Sequence, residues 1–318
     1  SGVPRAIFFE DRQVIADGDR LFHTMGLSPE TPNLAVISLA HSYGFSSVVL
    51  QMILHGVPVC LAAVPFPRVI EEICRGHESV VIPAVPSIWR AWHRAGILGS
   101  LPVKLAVSAG APLSLLLEKE VFDASGLKIH NFYGASECGG ISFDSTSTPR
   151  DHTDIVGTLL PGVSVRTGAM GRLLVESDAV GTGYDELRKD DLLEDGSYLT
   201  RDIAFLAPAS VLHVSGSTGG AINVSGRKIS PSKVEAALMA TGLLRRVRVF
   251  GVPSPDPERF EEILALYEAE AGTTIEGLKL ATSSRLEVWE LPRHWYDAPE
   301  LWQLDPAALK AKWVAKQL

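Results

Sequence analysis

Ser136 and Glu137 stand together in the stretch Asn131-Phe132-Tyr133-Gly134-Ala135-Ser136-Glu137, directly after a strand-like run, Lys128-Ile129-His130-Asn131. These residue types suit a phosphate ester. A hydroxyl donates to a phosphate oxygen, a carboxylate holds a Mg2+ that bridges phosphates, and the Tyr133 ring offers a face on which a base can stack. Ligands bind at the ends of strands in parallel sheets. The competing reading is a plain turn whose partly exposed Glu137 caps the next segment, and residue types alone leave the two level. Asp202 is a second carboxylate of interest, because its two acceptor oxygens match two neighbouring hydroxyls on one face of a ribose; otherwise it caps a turn. His41 is either a substrate contact or a turn or core histidine.

Three stretches of chain must position these groups. Between residues 34 and 131, β-prone runs (Leu34 to Leu39, Val57 to Leu61, Ser79 to Pro83, Leu105 to Ser108, Lys128 to Asn131) alternate with helical patterns around Val48 to Leu54, Ile88 to Ala95 and Leu113 to Phe122. Strands alternating with helices predict an α/β unit over residues 1–154 built on a largely parallel, covered sheet. Over residues 155–215 the texture changes to short β-prone pieces broken by Gly and Asp, such as Val163 to Arg166 and Arg172 to Glu176, which predicts a small β-rich subdomain. Small residues at 216–220 predict a hinge. A helix from Ser232 to Ala240, strands near Val247 to Val252 and Ile263 to Tyr267, and a helix from Pro306 onward then predict an α+β domain over 221–318.

Composition removes several function classes. A chain of 318 residues exceeds the usual size of one hydrophobic core, and its hydrophobic share of 46% and charged share of 21% are those of an ordinary globular protein. The formal charge of −8 and the lack of a clustered Lys and Arg run exclude a nucleic-acid surface. Cys60, Cys74 and Cys138 are odd in number and have no partner histidines at metal-ligand spacing, which fits a reducing cytoplasm. The chain does not open on a basic stretch followed by an apolar one. No apolar run approaches the length of a membrane span. A reductase is disfavoured because no Gly-x-Gly-x-x-Gly follows an early strand.

Tyr133-Gly134-Ala135-Ser136-Glu137 resembles the Tyr-Gly-x-Thr-Glu signature of the adenylate-forming (AMP-binding) superfamily, which includes acyl-CoA synthetases and nonribosomal adenylation domains. Its company keeps the order of that family. Upstream, His41-Ser42-Tyr43-Gly44 is similar to the His-x-x-Gly segment that lines the acyl pocket, and Ser108-Ala109-Gly110-Ala111-Pro112-Leu113 is similar to the Gly-Gly-Ala-Pro-Leu loop beside the nucleotide. Downstream come Val156-Gly157-Thr158-Leu159-Leu160-Pro161-Gly162, Gly183-Tyr184, and Thr200-Arg201-Asp202, which resembles the Thr-Gly-Asp segment whose Asp chelates the ribose. Ile222 to Glu235, with Gly226-Arg227-Lys228, resembles the start of the family's mobile C-terminal domain.

The resemblance implies ATP-dependent activation of a small-molecule carboxylic acid as acyl-AMP, with Mg2+, followed by transfer to CoA or to the phosphopantetheine of an acyl or peptidyl carrier protein. On this basis Ser136, Glu137 and Arg5 belong to catalysis, with Glu137 holding the metal. Gly110, Ala111, Pro112, Asn131, Phe132, Tyr133, Gly134, Asp202 and Lys228 belong to the nucleotide, and His41, Tyr43 and Ala109 to the acid. Three departures from the family pattern qualify the adenylation step. Ser1-Gly2-Val3-Pro4-Arg5-Ala6 is all that matches the phosphate loop, with Arg5 where Lys is usual, so a fragment and a naturally shortened member are both expected forms. Ser217 replaces the hinge Arg, and Gln303 falls where the adenylation lysine is expected, with Lys310 or Lys312 as substitutes. The alternative function is a noncatalytic adenylate- or acyl-binding module that keeps the fold.

Overall fold

The computed structural model describes residues 6–168, 171–186, 192–194, 196–217, 222–256, 259–298, 301–302, 309 and 312–315. The chain divides into two compact units at residues 218 and 219.

In the first unit, β1 (Ile7–Phe8) leads into α1 (Asp11–Thr24), which starts on a capping box formed by Glu10 and Gln13. This helix buries Gln13, Asp17 and Arg20 beside Leu21, so it carries no plain apolar stripe. After β2 (Asn33–Ala35), one helical stretch is assembled from α2 (Ser42–Gly44), a π-helical turn at Phe45–Val49, and α3 (Leu50–His55). Strands and helices then alternate: β3 (Val59–Leu61), α4 (Pro67–Cys74), β4 (Val80–Ala84), α5 (Pro86–Arg94), β5 (Val103–Ser108), α6 (Leu115–Ser125) and β6 (Ile129–Ala135). Prolines open α4 and α5, where a missing N–H costs nothing, and the Ser114 hydroxyl caps α6 by accepting from the Leu117 amide.

β3, β2, β4, β5 and β6 pair in that order, all parallel. At β7 (Gly139–Phe143) the pairing turns antiparallel. The chain continues through β8 (Ile155–Leu159), β9 (Ser164–Thr167), β10 (Arg172–Glu176), β11 (Gly183–Tyr184), β12 (Leu193–Glu194), β13 (Ser197–Ala207) and β14 (Val211–Ser217). Their order is β6-β7-β8-β14-β13-β10-β9, with β12 added onto β13, while β11 pairs with β1. Among the described residues this makes one sheet of twelve strands. The fold class is the α/β architecture with a large, partly parallel sheet. The pairing turns antiparallel already at β7, before residue 155, and the later strands continue the same sheet.

Two large apolar cores and a smaller one around Leu27, Val57 and Val81 pack on this sheet. One packs α4, α5 and α6 against the parallel strands around Trp89 and Trp92, whose rings meet edge to face at 5.4 Å. Their indole N–H groups are not stranded: Trp89 donates to the Val107 carbonyl at 3.3 Å and Trp92 to that of Pro65 at 2.8 Å. The other large core gathers Leu21, Tyr43, Phe132, Cys138, Leu160, Leu173 and Leu212 from α1 and from strands as far apart as β6 and β14.

The second unit begins with the hairpin of β15 (Ile222–Val224) and β16 (Arg227–Ile229), then α7 (Pro231–Met239). β17 (Leu244–Pro253) pairs antiparallel with β18 (Glu261–Ala269), α8 (Ile275–Thr282) follows, and β19 (His294–Asp297) adds in parallel to β18. Trp295, Tyr296 and Trp302 pack on the cores of this small sheet. The helix expected from Pro306 onward falls largely outside the described residues.

Candidate functional site

β6 delivers the strand-end residues, and its pleat sorts them. Asn131 is buried, donating from Nδ2 to the Val156 carbonyl at 3.1 Å, and Phe132 sits in the core, its ring centroid 6.0 Å from that of Tyr43. These two hold the strand in place. Gly134 has a steric reason to be glycine: a Cβ there would lie 2.5 Å from the Gly139 carbonyl oxygen, so only glycine lets the two arms of the turn close. The Cys138 amide then closes the turn on the Ala135 carbonyl at 3.2 Å.

Tyr133 donates its hydroxyl to Asp202 Oδ2 at 2.6 Å, across 69 residues of sequence. From β6 to β13 the sheet order counts four steps, a path of roughly 19 Å at a strand spacing of about 4.8 Å. The contact therefore requires the antiparallel part of the sheet to curl back over β6. Burial, then the charge and hydrogen bond of Asp202, pushes the Tyr133 phenol well above its ordinary range, which keeps it a donor. Asp202 is itself steadied by its own amide, which donates to the Thr200 hydroxyl at 3.1 Å.

On the open side of the turn, Ser136 shares a hydrogen bond of 2.8 Å with the Ser42 hydroxyl at the start of α2. Glu137 accepts from the Tyr184 hydroxyl at 2.9 Å through Oε1, and its carbonyl accepts from the Gly181 amide at 2.8 Å. Nothing in the residue types or spacing marks Ser42 and Tyr184 as site residues, although both lie inside segments that resemble family motifs. Negative charge collects here. Burial first, and then the Glu137 charge, drives both the Tyr198 phenol and the Cys138 thiol upward, so both remain protonated. A single half-exposed carboxylate suits Mg2+, which keeps waters and phosphate oxygens as its remaining ligands. Among the described residues no group of three or more His, Cys, Asp or Glu could hold a metal by protein ligands alone.

The other sequence-derived candidates are distributed as follows. Gly110, with φ of +79°, Ala111 and Pro112 lie between β5, the neighbour of β6, and α6, and Ala109 is buried at the end of β5. His41 is exposed and caps α2, its Nδ1 accepting from the Tyr43 amide at 3.2 Å. Tyr43 is buried and donates to the Val107 carbonyl at 3.1 Å. The Lys228 backbone lies in β16 of the second unit, and its side chain is outside the description, as are Arg5 and Gln303 and the Ser217 side chain. The geometry thus gathers Tyr133, Ser136, Glu137 and Asp202, and it gives Asn131, Phe132 and Tyr43 packing partners behind them.

The sequence profile of the AMP-binding enzyme family matches residues 1–184, more than half of the chain. The chain belongs to this family. Over 275 residues it is 25% identical to an uncharacterized acyl–CoA ligase of Bacillus subtilis, covering 83% of this chain and 55% of the relative. Over 187 residues it is 30% identical to a long-chain-fatty-acid–CoA ligase of Mycobacterium bovis, covering 55% of this chain and 31% of the relative. The chain thus spans about half the length of these relatives, or less. Among solved structures, a double mutant of the Bacillus subtilis o-succinylbenzoate CoA synthetase bound to a product analogue superposes with a TM-score of 0.76 at 18% identity. That match covers 92% of this chain and 63% of the synthetase.

Proposed function

We propose that this chain carries the nucleotide-binding portion of an acyl-adenylate-forming ligase, which activates a small carboxylic acid with ATP as acyl-AMP and passes the acyl group to a thiol of CoA or a carrier protein. The observation that carries the reading is the Tyr133 to Asp202 hydrogen bond of 2.6 Å, which sets a carboxylate beside the Ser136 and Glu137 turn. Asp202 accepts from the ribose hydroxyls, Ser136 donates to the α-phosphate, and Gly110 to Pro112 with Tyr133 border the adenine. Glu137 would hold Mg2+, which when bound neutralises phosphate charge as carboxylate and phosphate approach. Arg5 and Lys228 are assigned to the phosphate and the nucleotide from the family pattern, and His41, Tyr43 and Ala109 to the acid. The three cysteines are unpaired, and no described helix is long and apolar enough to cross a membrane; we assign the protein to the cytoplasm on the first of these facts.

Exchange of pyrophosphate into ATP tests the catalytic reading. Exchange that depends on one acid from a panel of aryl and aliphatic acids is expected, and its pattern names the substrate class. A second reading is supported by Arg5, Ser217 and Gln303 at positions where the family carries Lys, Arg and Lys: a module that binds an adenylate without making one. AMP binding with no exchange under any acid supports that module instead.

A further inference from the structure

The long helix before the site carries a buried carboxylate that the proposed chemistry does not use. Asp17, on α1, is 5% exposed. Its Oδ1 accepts from the Gly140 amide at 2.9 Å, Ser46 of the π-helical turn donates to it, and Arg20 stands close enough to supply positive charge. Burial pushes the carboxyl above its ordinary range, against those opposing bonds.

Gly140 is the second residue of the return strand β7, three residues after Glu137. Next to it, Gly139 has φ of +67°, and a Cβ there would fall 2.3 Å from Asp17 Oδ1, so the carboxylate fills the space behind the turn. A Cβ on Gly140 would sit 3.0 Å from Leu21 Cδ2 on the same helix. The helix is braced on both flanks. Arg20 donates from Nε to the Pro161 carbonyl at 2.7 Å and pairs with Asp178, and Gln51 donates from Nε2 to the Gly18 carbonyl at 3.2 Å. A carboxylate on a helix braced in this way holds a backbone amide in one place.

We propose that Asp17 is a positioning residue, which clamps the Gly139 and Gly140 arm from behind so that Ser136 and Glu137 present to a nucleotide on the open side. The nucleotide part rests on the function proposed above. The clamp itself does not. It also accounts for a polar face on α1, where a helix covering a sheet would ordinarily present apolar groups.

The test compares Asp17→Ala and Asp17→Asn in the full chain, using hydrogen exchange at the Gly140 amide without ligand and the dissociation constant for AMP. Asn keeps an acceptor of the same shape, whereas Ala removes it. With Ala, exchange at Gly140 is expected to rise about tenfold relative to β17 amides of the second unit, and AMP binding to weaken about tenfold, the scale of one lost hydrogen bond. Asn, which keeps both the volume and the acceptor, is expected to restore both to within about threefold, whereas Asp17→Leu, which keeps the volume without an acceptor, is expected to behave like Ala, a split that a loss of packing alone does not produce. A folded Ala variant with unchanged Gly140 exchange overturns the proposal, as does an equally stable Asn variant that behaves like Ala. Should the Ala variant not fold, Asp17→Glu, which pushes the acceptor into the turn, is expected to raise Gly140 exchange, and unchanged exchange there counts against the clamp. Absence of AMP binding in the unmodified chain removes the nucleotide reading, while exchange still decides whether Asp17 shapes the turn.

Discussion

At its base the β6–β7 hairpin is bolted by four charged side chains, and at its tip it carries two polar ones with little cover. The base holds Lys128 against Glu118 and against Asp144 at 2.6 Å, while Arg150 Nε meets Glu118 at 2.8 Å and its Nη2 donates to the Leu113 carbonyl at 2.8 Å. All four residues are buried. At the tip Ser136 is exposed and Glu137 half-exposed, each with a single hydroxyl contact among the described side chains. The same hairpin thus separates two uses of charge. Buried charges that satisfy one another give rigidity, and carboxylates left partly open keep capacity for a ligand.

The strongest way to break this contrast is Lys128→Met, which leaves Glu118 and Asp144 buried without their shared cation. It is expected to cost about 3–5 kcal/mol in urea unfolding. A loss under about 1 kcal/mol would show that the base is not a bolt. Acid loads the same network more gently. Burial pulls the Asp144 carboxyl up, yet the bonds from Lys128 and Thr146 outweigh it and hold it below the ordinary range. Its folded value is depressed, so its contribution is complete above the unfolded value and fades as pH falls through the folded one. Urea midpoints should therefore decline on acidification below the ordinary Asp range, and flat midpoints there would contradict the assignment.

At the tip the expected effects move from stability to binding. Asp202→Ala should weaken AMP about 10- to 100-fold by calorimetry, in keeping with loss of a charged hydrogen-bond partner, with only a modest fall in unfolding midpoint. Gly134→Ala forces the two arms of the turn apart and should cost about 1–3 kcal/mol in thermal unfolding. His41→Ala removes an N-cap and is expected to cost about 0.5–1 kcal/mol, without the large defect in AMP binding of Asp202→Ala. A larger loss of acid-dependent activity than of stability would sharpen its role as a substrate contact.

The parallel strands were legible because each is a short apolar run between helical patterns, and the expected Ser79 to Pro83 and Leu105 to Ser108 fall within or beside β4 and β5. The strand-end turn was legible through its small residues and carboxylate. What stayed hidden has physical causes. α1 buries Gln13, Asp17 and Arg20, so no apolar period betrays it. Lys128, Glu118, Asp144 and Arg150 are residue types ordinarily left in water, and only the fold shows them sealed together. The bond from Tyr133 to Asp202 depends on the curl of the sheet, which strand patterns do not encode. Tyr43, assigned to the acid from its motif, has a hydroxyl already engaged by Val107, a contact no spacing could reveal.

On the function proposed above, the turn at Ser136 and Glu137, with Asp202 beside it, receives an adenylate. Calorimetric titration of AMP into the unmodified chain and into Asp202→Ala tests this most directly. Saturable binding to the unmodified chain at a single site is expected, weakened at least tenfold by the substitution. Binding that is indifferent to Asp202, or no binding of AMP, ATP or an acyl-adenylate analogue at all, would contradict it.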